Sequence, residues 1–224
     1  MVIIARVETK ETTHSGRKTM KQMKKKIMTL VLAMSMVLAL TACGGSAKFE
    51  KGTVEGNVYT NTSVGIKATV PEGLTIADEA TMQSFQDSAM ASMENAEKVE
   101  AAIVYETVIT SEAGSSIQIA AEDMTQTIGA KVKADTYLES LQETTKTTYE
   151  SMGCTVEFSD VTAKKLGGVE FSHINISIDL AGTAITQECY CRAIGNHMYY
   201  IIVTDMGDCT DAMTAFFDSF EAAK

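Results

Sequence analysis

The residues whose type and spacing best suit chemistry are acidic. Asp205, Asp208 and Asp211 lie three apart, and with the carbonyl of Gly207 they offer the oxygen ligands that a hard cation needs on a flexible loop. The spacing is not that of a calcium loop. Carboxylates at a helix start also cap free backbone N–H groups and answer the helix dipole, so capping is the preferred reading and neither a metal nor another cofactor is expected. Nucleophilic catalysis needs a serine or cysteine beside a base held by a third group. His173 and His197 are the candidate bases, but no Gly-x-Ser-x-Gly elbow, zinc-protease motif or glycine-rich phosphate loop accompanies them. Both read as ordinary surface or edge residues. Carboxylates are numerous enough for a glycosidase pair, yet sugar clefts are usually lined by aromatic rings, and this chain has no tryptophan and 6% aromatics. No enzymatic activity is expected.

Four thiols, Cys154, Cys189, Cys191 and Cys209, are candidates for disulfides, and the sequence does not choose among their pairings. Cys189 and Cys191 sit two apart in a strand, so both point to one face and are better placed to pair with Cys154 or Cys209 than with each other. Buried free thiols in a small apolar role are the other reading, and the spacing argues against a four-cysteine zinc site. On the opposite face of the same strand, Tyr190 and Arg192 form a candidate binding patch, with packing beneath a helix as the plainer account.

A fifth cysteine, Cys43, ends the run Leu40, Thr41, Ala42, Cys43, after an apolar stretch from Ile27 and the lysines Lys18, Lys21, Lys24, Lys25 and Lys26. A basic segment, a short apolar segment and small residues before a cut site make an export signal. With cysteine after the cut, between Ala42 and Cys43, the pattern resembles the lipobox of bacterial lipoproteins. That resemblance implies a diacylglyceryl anchor on the Cys43 thiol, acyl chains such as palmitate, and a mature chain that starts there. The apolar stretch falls short of the roughly 20 residues that span a bilayer. Two acyl chains suffice for stable attachment. Residues 1–42 are therefore read as a signal peptide, with 1–19 an overlong start because Met20 or Met23 would open a more ordinary one. Residues 43–57 are read as the lipidated cysteine and a flexible tether, and 58–224 as a single domain.

Of the 19 basic and 29 acidic residues, eight and two respectively precede Cys43. The remainder, 11 against 27, carries a net charge of −16, which repels nucleic acid and has no basic stripe to offset it. Acidic excess serves solubility, or attracts cations and basic partners.

The pattern after the tether predicts strands over Val58–Thr60 and Gly65–Val70, then a one-sided helix between Asp78 and Glu97 through Met82, Phe85, Ala89, Met93 and Ala96. A strand hairpin with one buried face follows, over Val99–Ile109 and Ile117–Ala121. The next helix is capped by Asp135, carries Leu138, Leu141, Thr145, Tyr149 and Met152 on one face, and is stopped at Gly153. Four meander strands run over Cys154–Val161, Val169–Leu180, Thr183–Ile194 and His197–Thr204, turned at Gly167–Gly168, Ala181–Gly182 and Gly195–Asn196. A last helix from Asp211 buries Met213, Phe216, Phe217 and Phe220. The expected fold class is α+β, an antiparallel sheet of about six to eight strands covered by three helices.

This order, with the opening run Val58, Tyr59, Thr60, Asn61, the stretch Gly65 to Gly73 around Pro71, and the closing Phe216, Phe217, Asp218, Ser219, Phe220, resembles the PsbP-like and DcrB-like α/β sandwich group. The resemblance implies a non-catalytic, extracytoplasmic domain. The expected protein is thus lipid-anchored at the outer face of a bacterial cell membrane within the cell envelope. It acts as a binding or accessory module for an unknown protein or small molecule, and does not bind nucleic acid. The alternatives are a cell-surface hydrolase, which would need a cleft holding two carboxylates with raised pKa values, and a solute-binding subunit of a transporter, which usually needs two lobes.

Overall fold

The computed structural model describes residues 49–90 and 102–223. The expected signal peptide, Ala42, Cys43, the tether up to residue 48, and the helix and strand positions Met93, Ala96 and Val99 lie outside them.

The described residues form an α+β sandwich with two antiparallel sheets. The small sheet has the order β1 (Thr53–Glu55), β2 (Val58–Asn61), β3 (Ile66–Thr69), β12 (Glu221–Ala222). The large sheet runs β4 (Thr75–Ile76), β5 (Ile103–Thr110), β6 (Ser116–Asp123), β11 (His197–Asp205), β10 (Thr183–Ile194), β9 (Val169–Leu180), β7 (Cys154–Phe158), with β8 (Thr162–Leu166) also on β9. Strand β9 holds both neighbours on one edge because β8 pairs with Val169–His173 and β7 with Ile176–Leu180. Helices are α1 (Glu79–Met90), α2 (Met124–Thr127), α3 (Ala134–Ser151) and α4 (Thr210–Asp218).

The large sheet separates two apolar layers. On one face Ile174, Ile176, Ile178, Cys189, Cys191, Tyr200 and Ile202 pack beneath Leu138, Leu141 and Tyr149 of α3. On the other, Ile119, Phe171, Tyr190, Tyr199 and Ile201 meet Tyr59, Ile66 and Ala68 of the small sheet and Met213 and Phe216 of α4. Strand β11 is apolar on both faces and lies between β6 and β10, the central position its sequence requires.

Differences from the sequence reading have physical causes. The first hairpin belongs to a sheet of its own, so one face of the large sheet is covered by strands and α4 while α3 covers the other. For that reason β5 and β6 are buried on both faces, although their polar residues suggested one wet face. The polar run up to Asn57, read as tether, is structured from Phe49 and includes β1. Buried Glu106 needs donors, and the Gly52 N–H supplies one at 3.1 Å. The meander gains β8, which alternation missed because it is exposed except at Leu166. Helix α3 is capped at Lys133 without a side-chain bond, and Asp135 sits inside its first turn. Gly153 does stop the helix, at φ +84°. The three hairpin turns of the meander each hold two residues. At Gly167 the requirement is double: φ is +57°, and a Cβ would stand 2.6 Å from the backbone of Glu221.

Candidate functional site

Where α4 leans over the large sheet, a groove of about 290 Å³ opens between the helix and β8, β10 and β11. Its lining includes Lys164, Glu188, Tyr190, Asp205, Met213 and Phe217. Alternation places Glu188 and Tyr190 on this face of β10, while Cys189 and Cys191 point to the other core. Tyr190 is 4% exposed and stacks on Phe217 of α4, ring centroids 5.2 Å apart. A second hollow of about 280 Å³ continues along the same face beyond the small sheet, with Thr155, Glu157, Ser177 and Asp179 in its lining, and shares Thr186 with the first.

The polar centre of the groove is one oxygen. Glu188 Oε2 lies 2.7 Å from His173 Nε2 and accepts from the Tyr190 hydroxyl at 2.8 Å and from Lys164 Nζ at 3.0 Å. The hydrogen bond from His173, with those from Tyr190 and Lys164, outweighs burial and takes the Glu188 carboxyl from its ordinary 4.5 down to about 2. Burial, then the Glu188 charge, pushes the Tyr190 phenol up. Lys164 also sits 5.5 Å from the centroid of the Tyr190 ring. Glu188 is therefore a fixed anion that organises its neighbours.

The structure distributes the sequence candidates as follows. Tyr190 and Arg192 do not form an exposed patch. Tyr190 is packed beneath α4, and Arg192 donates to the carbonyl of Glu170 at 2.8 Å. Asp205, Asp208 and the Cys209 thiol bring their ligand atoms within 4.8 Å of one another, while Asp211 lies apart, in the first turn of α4. Asp205 accepts from the Gly207 N–H at 2.7 Å and from the Thr210 hydroxyl at 3.2 Å. Asp208 accepts from the Ser111 hydroxyl at 2.5 Å and from that of Ser115. These aspartates build the β11–α4 loop rather than cap the helix, whose N-cap residue is Cys209. Cys154, Cys189, Cys191 and Cys209 are free thiols. The first three share the α3-side layer, with the Cys189 and Cys191 sulfurs 3.6 Å apart, and Cys209 lies on the other side. His173, expected at the surface, is 4% exposed, because its ring is needed between Tyr190 and Glu188. His197 stacks on Phe49 at 4.8 Å.

Among the described residues, two carboxyls are pushed up by burial, Glu106 and Glu122. They lie inside the sandwich on opposite sides of the large sheet. Glu106 is held by the Tyr59 hydroxyl and the Asn61 amide, and Glu122 by the Tyr137 hydroxyl at 3.0 Å.

The sequence reading missed Glu188, although its alternation with Tyr190 and Arg192 would have found it. Lys164 left no such signal, because its place depends on the register of β8 against β9.

No protein-family model matches the sequence, and a comparison with curated proteins gives no match. Among solved structures, the chain is similar to cyanobacterial PsbP (CyanoP) from Synechocystis sp. PCC 6803, with 13% identity and a TM-score of 0.45 over 82% of this chain and 98% of that one. It is also similar to LpqN of Mycobacterium tuberculosis, a protein involved in cell envelope biogenesis, with 11% identity and a TM-score of 0.40 over 71% of this chain and 83% of that one. A Bacteroides thetaiotaomicron protein shares 11% identity with a TM-score of 0.38 over 76% of this chain, which spans half of that protein's length. Among the described residues, no helix is long and apolar enough to cross a membrane.

Proposed function

We propose that the protein is a non-enzymatic binding domain, lipid-anchored through Cys43 outside the bacterial membrane, that takes a positively charged group of its partner into the groove beneath α4. The observation that carries this reading is the groove itself. An ionised carboxylate held by three donors, with Asp205 and Asp218 beside it against the single cation Lys164, favours an amine or guanidinium. The aromatic floor of Tyr190 and Phe217 suits the alkyl part of such a group. Catalysis is disfavoured because the groove carboxylate has a depressed pKa, unsuited to a general base near neutral pH. The two carboxyls with raised values are enclosed in the cores and share no cleft.

Titration of the detergent-solubilised protein with a tri-lysine peptide, followed by the amide resonances of Thr186, Met213 and Thr214, tests the site. Shifts confined to the groove and lost in Glu188→Gln are expected. Shifts spread evenly over the acidic surface, and unchanged in the variant, would refute it.

A further inference from the structure

The first described residues are clamped to one end of the large sheet. Phe49 stacks on His197 at 4.8 Å, the Glu50 N–H donates to the Ser63 hydroxyl at 2.8 Å, and the Gly52 N–H donates to Glu106 at 3.1 Å. His197 opens β11 at the Gly195–Asn196 turn, whereas Asp205, which lines the groove, ends the same strand. At about 3.3 Å per residue, eight steps put Asp205, the far end of the groove, roughly 26 Å from the clamp, while Tyr190, opposite Ile201, lies about four steps or 13 Å from it. Six steps of chain join Cys43 to Phe49, a reach of at most about 21 Å when fully extended. A lipid on Cys43 therefore lies within about 21 Å of Phe49.

Charge follows the same axis. The Met124 N–H donates to the carbonyl of Asn196 at 2.9 Å, which sets α2 and the following loop, with Lys131 and Lys133, at the clamped end; Lys51 lies in the clamp itself. Asp123, held as an ion by Thr125 and Gln126, and Glu50 and Asp135 lie at this end too, so the three lysines are balanced by three carboxylates and the end is near neutral. The other end collects Asp205, Asp208, Asp211 and Asp218 around α4, with Asp179 and Glu157 along the hollow.

We infer that the end of the sandwich formed by Phe49, the β10–β11 turn and α2 lies on the phospholipid headgroups, and that the Asp205 end of the groove is turned away from the membrane. This rests on the anchoring reading above. A body tethered at that end would turn its strongly acidic end away from an anionic surface and its near-neutral end toward it. The groove, on the long side of the molecule, then stays open to a partner.

The test uses the full lipidated protein in vesicles of phosphatidylethanolamine and phosphatidylglycerol. Gln126→Cys at the clamped end and Ala113→Cys near Asp208 are each made in a Cys209→Ser background and labelled with a fluorophore. Quenching by lipids spin-labelled at the headgroup is expected to be several-fold stronger at position 126 than at 113, with the contrast narrowed by Phe49→Ala. Equal quenching, or stronger quenching at 113, on protein whose Cys43 carries lipid by mass would overturn the orientation alone. An unlipidated Cys43 would overturn the anchor and the orientation together.

Discussion

Glu188 is the side chain whose removal the groove geometry constrains most tightly. Its native pKa is about 2 against an ordinary 4.5, and each pH unit between folded and unfolded values is worth about 1.4 kcal/mol. The full difference would be about 3 kcal/mol; screening at the half-exposed Lys164 reduces it to about 2 kcal/mol. A carboxyl depressed on folding stabilises the protein above its unfolded value and loses that contribution as pH falls through its folded value. The difference in unfolding free energy between the native protein and Glu188→Gln should therefore be largest at neutral pH. It should shrink below pH 4.5 and be lost as pH falls through about 2. Urea unfolding at several pH values, read by tyrosine fluorescence, measures it. A difference that stays constant from neutral pH to pH 2 would show that the carboxylate is not held as an ion by His173, Tyr190 and Lys164.

Glu106 should behave with the opposite sign. Burial raises its value, so the folded state binds its proton more tightly, and stability should fall as pH rises above 4.5 through the raised native value; Glu106→Gln should flatten that slope in thermal melts, and a slope unchanged by the substitution contradicts the assignment. Phe216→Ala should cost about 3–5 kcal/mol in denaturant unfolding, because Phe216 is fully buried with Phe217 and Phe220 packed edge-on against it at 5.5 and 5.2 Å. Gly167→Ala should cost at least about 1 kcal/mol from its left-handed backbone, and the clash with Glu221 should loosen β12. Faster hydrogen exchange at the Ala223 amide, which donates to the Gly65 carbonyl at 3.0 Å, reports that release.

Local patterns revealed much of this fold. The stripe through Leu138, Leu141, Thr145 and Tyr149 and the stop at Gly153 located α3, and the alternation of Ile174, Ile176 and Ile178 located the face of β9 that α3 covers. Sheet membership was not legible, because Tyr59 and Ile66 alternate in the same way whether they join the large sheet or face it from another. Buried polar residues misled in the same manner: Glu106 and Glu122 look wet in sequence, and only the long-range partners Tyr59 and Tyr137 make their burial tolerable. The groove was half legible. Tyr190 was singled out, but Lys164, Phe217 and Asp205 reach it from three separate elements, and their meeting depends on strand register and on the angle of α4.

Cys43 carries the proposed anchor, which would place the domain outside the membrane and set which end meets the lipid. Intact mass of the protein isolated from its native membranes measures this directly. The predicted result is a chain that begins at Cys43 and carries a diacylglyceryl group on that thiol. A chain that retains the residues before Cys43, or one whose Cys43 thiol is unmodified, would contradict it.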